Sequence, residues 1–186
     1  EHLELRQAFL LTNSAWISIA LFGSLPFLLS DVDMNFIDAF FESTSGITTT
    51  GATVIENLEA KSHGILIWRA LLQWLGGVGI IVMALAVLPM LSIGGMQLFK
   101  TESYETPDKV VPKAASFAAG ISIVYITLTV IWAFMLWGAG MPIFDSIAHS
   151  MTTLATGGYS TKSESLAAFN SSTIEIIIIL GMLVGS

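Results

Sequence analysis

Two stretches decide the fold: DAFFESTSGITTTG at positions 38–51 and DSIAHSMTTLATGG at positions 145–158. Each opens on an aspartate and closes on a glycine thirteen positions later. Placing Asp38 on Asp145 sets Ser43 on Ser150, Thr49 on Thr156 and Gly51 on Gly158 without a gap, a repeat of 107 positions. Each stretch follows a long apolar run and precedes another. Helix, short amphipathic helix, Thr/Gly loop, helix is the order of a re-entrant ion-conducting loop. Ion permeation is therefore the function class to which the pattern points.

The rest of the chain supplies the solvent for such a loop. Of its 186 residues, 54% are hydrophobic and 11% charged, and the mean hydropathy is +0.77. A soluble domain carries about 25% charged residues. Runs at 8–29, 64–93 and 114–137 are long enough to cross about 30 Å of hydrocarbon. A fourth run begins near Thr173 and reaches Ser186, too short to span by itself. The C-terminus is therefore expected to be the end of the available chain and not of the natural protein. The net charge of −7 gives a nucleic-acid partner no electrostatic support. The absence of cysteine excludes a disulfide framework or a thiolate metal site.

Between the spanning runs lie NFIDAFFES (35–43) and MPIFDSIAHSM (141–151), too apolar for exposed loops and too short to span. Asn35 is expected to cap a helix with Asp38 in its first turn, and Pro142 to take the first helical position with Asp145 in that turn. Either acid is stabilised by the positive end of the helix dipole. Both helices then run into Thr48-Thr49-Thr50-Gly51-Ala52-Thr53 and Ala155-Thr156-Gly157-Gly158-Tyr159-Ser160. Irregular backbone at membrane depth leaves carbonyls unpaired, at several kcal/mol per group in lipid. A dehydrated cation can satisfy them. Glycine lets the chain turn its carbonyls to one axis, threonine hydroxyls add oxygens, and the helix C-termini add partial negative charge.

Alternating spans put Arg6, Lys100, Lys109 and Lys113 on one side and Lys61 and Lys162 on the other. The positive-inside rule makes the 94–113 linker cytoplasmic and turns both Thr/Gly loops outward.

The stretches FFESTSGITTTGATV (40–54), LLQWLGGVGIIVMALAVLPMLSIGGMQLF (71–99) and FDSIAHSMTTLATGGYST (144–161) resemble the Trk/Ktr/HKT superfamily of potassium transporters, and within it the bacterial TrkH-like membrane subunit. The resemblance covers nearly the whole chain. It implies an all-α integral membrane fold of helix–pore loop–helix units, pseudo-four-fold in the full protein. Two units would be present here: 1–106, with a cytoplasmic linker, and 107–186, with its last helix incomplete. It implies potassium uptake across the plasma membrane of a bacterium (its inner membrane) by a multi-pass protein. It also implies a selectivity filter of Thr49, Thr50, Gly51, Ala52 and Thr53 in one unit and Thr156, Gly157, Gly158, Tyr159 and Ser160 in the other. Backbone carbonyls of Thr49, Thr50, Thr156 and Gly157 would hold the ion, with Asp38, Glu42, Asp145 and His149 supporting from the pore helices. Members with serine at a filter-glycine position resemble sodium-permeable transporters, so Gly51 and Gly158 favour potassium. No cofactor is implied beside the transported ion. The implied partners are the lipid bilayer, a cytosolic nucleotide-binding regulatory subunit and a second full-length chain in a homodimer.

Other features have plainer readings. Gly76-Gly77-Val78-Gly79 lacks the strand that a dinucleotide loop needs and reads as close helix packing. Glu42 and His149 share one repeat position and are expected to hydrogen-bond to the pore walls rather than to touch the ion. Arg69 is expected to snorkel to the interface, and Trp68, Trp74, Trp132 and Trp137 to anchor there. The Thr/Gly loops could also be plain helix C-caps. An ion-coupled (sodium or proton) secondary cation transporter is the competing function, because broken helices and repeats suit that class too. Transporter repeats are usually inverted, however, and these run in the same direction. An intramembrane hydrolase finds little support, since adjacent His149 and Ser150 diverge on a helix and no GxSG or GxGD is present. The protein is accordingly not expected to be an enzyme.

Overall fold

The computed structural model describes residues 5–30, 32–91 and 110–186, and these are helical with connecting turns and no strand. The boundary between the expected units, at 106/107, lies outside the described residues, as do Lys100 and Lys109 of the linker.

Helix α1 (Leu5–Gly23) is followed at once by a short helix α2 (Leu25–Leu28). The expected span at 8–29 is thus kept as an apolar stretch but interrupted at Ser24. Pro26, in the first turn of α2, has no N–H to continue the ladder and its ring crowds the preceding turn. Helix α3 (Phe36–Ile47) is the first short helix. Asn35 caps it as expected, accepting the Asp38 N–H at 3.0 Å. Helix α4 (His63–Leu91) has 29 residues and a length of about 43 Å. Helix α5 (Val110–Gly138) matches it in length. Helix α6 (Ile143–Leu154) is the second short helix. Pro142 stands just before it as the N-cap, one position earlier than its missing N–H suggested. Helix α7 (Ser172–Gly185) closes the order.

The two short helices are the centre of the packing. Helix α3 is held by α1 and α4, and α6 by α4, α5 and α7, so α4 touches both. Small residues allow this approach. A Cβ on Gly76 would strike the Ile47 carbonyl at the end of α3, and one on Gly77 would lie 3.1 Å from the Ala155 Cα after α6. Close packing is thus the role of the glycine cluster. Phe27, Ala39, Ile55, Leu58, Ile65, Leu66 and Leu72 form one core and Leu136, Met141, Ile174 and Ile178 another. Large apolar side chains outside them, among them Leu11, Phe22, Ile123, Phe134 and Leu183, are exposed along α1, α5 and α7. Phe9–Leu28 and Ala119–Gly138 are each long and apolar enough to cross a bilayer.

Three of the four tryptophans expected at an interface instead donate into the bundle: Trp68 to the Gly23 carbonyl at 3.0 Å, Trp74 to Thr129 Oγ1 at 3.0 Å and Trp132 to the Ile177 carbonyl at 2.9 Å. Trp137 is exposed. An indole N–H inside a bundle needs an acceptor, and here helix carbonyls and a threonine hydroxyl supply it.

Beyond the short helices the two halves are laced together on one side. Ser163 Oγ accepts the Leu58 N–H at 3.1 Å and donates to Glu59 Oε2 at 2.7 Å, while the Ser163 N–H donates to Glu59 Oε1 at 2.8 Å. These bonds, the Ser163 hydroxyl first, hold the Glu59 carboxyl below its ordinary value of 4.5. A depressed carboxyl contributes stability in full above its unfolded value and loses it as pH falls through its folded value. Ser163→Ala should therefore flatten the decline in unfolding midpoint of the full-length protein between about pH 5 and pH 3, as read by thermal melts across that range.

Candidate functional site

Both short helices end in the same way. The N–H of Thr49 returns to the Gly46 carbonyl and that of Thr50 to the Ser45 carbonyl, each at 3.0 Å. One repeat later the Thr156 N–H returns to Thr153 and the Gly157 N–H to Thr152, each at 2.9 Å. This is the Schellman end of a helix, whose left-handed position usually belongs to glycine. Here it is held by threonine, with φ of 55° at Thr49 and 53° at Thr156. A β-branched residue in that region is an outlier that its surroundings must enforce. Two residues on, Gly51 and Gly158 are again left-handed, at 80° and 81°.

The plain C-cap reading therefore holds for the first turn of each loop and fails beyond it. Left-handed residues alternate with an ordinary one at Thr50 and Gly157, which swings the chain back and forth while it extends. Among the described residues no donor reaches the carbonyls of Thr49, Thr50, Thr156 or Gly157. Carbonyls further along are used: that of Ala52 accepts from Ser45 Oγ at 2.6 Å and that of Ser160 from Arg69 at 2.9 Å. Each loop thus presents main-chain oxygens without partners between tied ends. The loops also meet. A Cβ on Gly51 would strike the Gly157 carbonyl oxygen.

The supporting residues repeat as well. Glu42, fully buried on α3, accepts the Thr53 hydroxyl at 2.9 and 3.0 Å. His149, its counterpart on α6, lies 3.0 Å from the Ser160 hydroxyl through Nε2. His149 Nδ1 must donate to the Asp145 carbonyl, 2.8 Å away, so in the neutral ring Nε2 accepts from Ser160. Thr53 Oγ1 in turn accepts the Ile55 N–H at 3.1 Å, and Ser160 Oγ the Lys162 N–H at 3.0 Å. Both loops are thus pinned to their own short helix through a hydroxyl. Glu42 and His149 thus take equivalent places, each hydrogen-bonded to a hydroxyl of the loop that follows its own helix. The two aspartates differ: Asp38 receives the Asn35 amide at 2.7 Å, while the mostly buried Asp145 accepts the Thr161 hydroxyl at 2.7 Å.

Contacts between the halves are not repeated. Arg69 does not snorkel. It is 1% exposed and donates from Nε to Glu42 Oε1 at 2.7 Å and from the guanidinium end to the Ser160 carbonyl at 2.9 Å. Its guanidinium stacks 4.1 Å from the Tyr159 ring centre. Glu42 also receives the Val54 N–H at 3.0 Å. A carboxylate in direct contact from the neighbouring helix α3 is a good partner for a buried guanidinium. The Tyr159 hydroxyl reaches back to the carbonyl of Glu42 at 2.9 Å and to that of Ala52, its own repeat counterpart, at 3.2 Å. One turn along α4, Gln73 accepts the Tyr159 N–H at 3.1 Å. Sequence reading missed Gln73 and misplaced Arg69. The available signal was an acid and a base each inside an apolar segment, and two polar residues four apart on one helix face.

Among the described residues the arrangement offers carbonyls without a protein donor from two adjoining turns, at the negative ends of two short helices. Among the described residues no group of three His, Asp or Glu forms a metal site.

A sequence model of the TrkH family, described as a cation transport protein, matches residues 1–186. The Trk system potassium uptake protein TrkH of Salmonella typhimurium is 45% identical over 185 residues, which is 98% of this chain and 38% of that protein. The Trk system potassium uptake protein TrkG of Escherichia coli is 39% identical over 178 residues, 94% of this chain and 37% of that protein. The crystal structure of the potassium transporter TrkH from Vibrio parahaemolyticus matches with a TM-score of 0.87 at 42% identity, over 99% of this chain and 36% of that one. The chain spans a little over a third of the length of these relatives.

Proposed function

The chain belongs to the TrkH family of cation transport proteins, and from that premise we propose that its two Thr/Gly turns are two quarters of a potassium filter. It is an all-α membrane protein. In the full-length protein, two further turns would close the ring around a pseudo-four-fold axis. Potassium would shed its water against the carbonyls of Thr49, Thr50, Thr156 and Gly157, with Gly51, Ala52, Thr53, Gly158, Tyr159 and Ser160 completing the two loops. The function is potassium uptake across the inner membrane of a bacterium. A cytosolic nucleotide-binding regulatory subunit and a second full-length chain are the partners that the family resemblance implies.

The observation that carries this reading is the pair of equivalent turns, left-handed at Thr49 and Gly51 and at Thr156 and Gly158, whose intervening carbonyls have no donor among the described residues. Their oxygens are the ligands that potassium filters use. The two loops are also bonded to each other's repeat on one side of the molecule. That arrangement does not suit the inverted repeats of coupled transporters, which is the class the alternative requires.

Gly158→Ser tests the assignment. Nothing lies within 4 Å of a Cβ there, so the cost is confined to the φ of 81° and to the new hydroxyl beside the ion path. In the full-length protein, the variant should still reach the membrane and should lose about tenfold in potassium-over-sodium preference, measured by rubidium and sodium uptake in deficient cells. Unchanged uptake with unchanged preference would remove the filter assignment. A fixed stoichiometry with sodium or protons across varied gradients would transfer the protein to coupled transport.

A further inference from the structure

Among the buried polar side chains that the transport reading leaves without a role, Gln73 stands beside the two turns. Gln73 is fully buried on α4, one turn beyond Arg69. Its carboxamide fills the space that a Cβ on Gly157 would need, with Oε1 2.5 Å and Nε2 2.7 Å from that point. The same Nε2 stands 3.6 Å from the Cβ position of Gly51. The amide is thus wedged where the two turns meet. Its orientation is fixed, because Oε1 must be the atom that accepts the Tyr159 N–H. Both hydrogens of Nε2 are then left in the gap between the turns, and Nε2 has no hydrogen-bond partner. A buried amide donor without an acceptor is costly, and the groups around it that lack donors are the carbonyls of the turns.

Resting on the filter reading above, we propose that Gln73 is a positioning residue that sets the spacing and the field of the Gly51 and Gly157 turns, and so the preference for potassium over sodium. Two effects combine. The wedged amide keeps the turns from closing on a smaller ion. Its unpaired N–H dipole lies beside the two turns and so lowers the negative field at their oxygens. A weaker field favours the larger, more easily dehydrated cation, and a stronger one favours sodium. No water-exposed residue can do this, since solvent would screen the dipole.

The direction of the effect follows. Gln73→Met keeps the volume of the side chain and removes the dipole. Gln73→Glu keeps the acceptor for Tyr159 and replaces the donor by an oxygen. Both should shift preference toward sodium, Gln73→Glu the further. The experiment is rubidium and sodium uptake by full-length protein carrying either variant, with Gly158→Ser alongside and membrane abundance measured for all three. The expected result is a drop of about tenfold in rubidium-over-sodium preference for Gln73→Met, with sodium uptake rising in absolute terms. A residue that only supports folding would lower both fluxes together and leave their ratio alone. Preference within about twofold of the parent in both Gln73 variants, with Gly158→Ser shifted, overturns the proposal and leaves the filter standing. If Gly158→Ser is also unshifted, the filter assignment falls and this proposal falls with it. If Gln73→Met does not accumulate, the near-isosteric Gln73→Glu decides by the same ratio.

Discussion

Arg69→Met in the full-length protein is expected to cost about 3–5 kcal/mol of stability, and adding Glu42→Gln to it should return most of that loss. The pair is buried at 1% and 0% exposure. Neither charge has water to fall back on, so a lone Glu42 carboxylate must remain charged without a counter-ion or take up a proton. Coulomb attraction within the pair does not by itself make the protein stable, because much of it repays desolvation. The penalty appears when one partner is left behind. In the double variant the glutamine carbonyl can still accept from Thr53 and Val54, which Glu42 serves at 2.9–3.0 Å, and methionine fills the guanidinium's volume against the Tyr159 ring. The Ser160 carbonyl loses a donor in both variants, so recovery should fall short of complete. Thermal unfolding of the purified protein in detergent gives the comparison. A single variant as stable as the parent, or a double variant no better than the single, would show that the two charges do not depend on each other.

The fold was legible where chemistry is local. The Asn35 cap, the helix ends at the Thr/Gly phrases and the equivalence of Glu42 with His149 all follow from residues within one repeat, and the structure has them at those places. The break at Pro26 was legible in principle but was hidden by hydropathy, which averages over a proline in an apolar run. What could not be read was contact between repeats. Arg69 looks like an interfacial cation when α4 is considered alone, and only the approach of Glu42 from α3 and of Tyr159 and Ser160 from the second loop makes it a core residue. Gln73 is hidden for the same reason, and so is the Thr129 acceptor of Trp74, while the acceptors of Trp68 and Trp132 lie on other helices of their own repeats, far away in sequence. Period and propensity describe one helix against an unnamed environment. The site depends on which side chain fills the space beside a neighbouring repeat's backbone, and that is not encoded at any fixed spacing.

Gly51→Ala should abolish potassium uptake, whereas Gly157→Ala should reduce it in a manner that a second substitution can reverse. The two glycines face each other but are required for different reasons. At Gly51 the φ of 80° costs a residue with a Cβ about 1–3 kcal/mol. Its Cβ would also strike the Gly157 carbonyl oxygen, a main-chain atom held by the turn itself. To make room that carbonyl must swing away, and under the proposed filter it would be one of the oxygens offered to the ion. Relief at this position therefore destroys the arrangement that it would preserve. At Gly157 the φ is ordinary, and the atoms in the way belong to the Gln73 side chain, with Nε2 2.7 Å from the Cβ position. A side chain can be cut back. Gly157→Ala alone should push the carboxamide off the Tyr159 N–H and lower rubidium uptake several-fold, on the order of 1–2 kcal/mol of misplaced geometry. Combining it with Gln73→Ala removes the collision and should restore most of the rubidium flux. The restored flux should discriminate poorly against sodium, because the wedge is gone. Gly51→Ala should not respond to Gln73→Ala at all, since the obstruction there is backbone. Equal rescue at both positions would mean that the two turns do not meet as described, and equal failure at both would mean that Gln73 is not what occupies the Gly157 side of the contact.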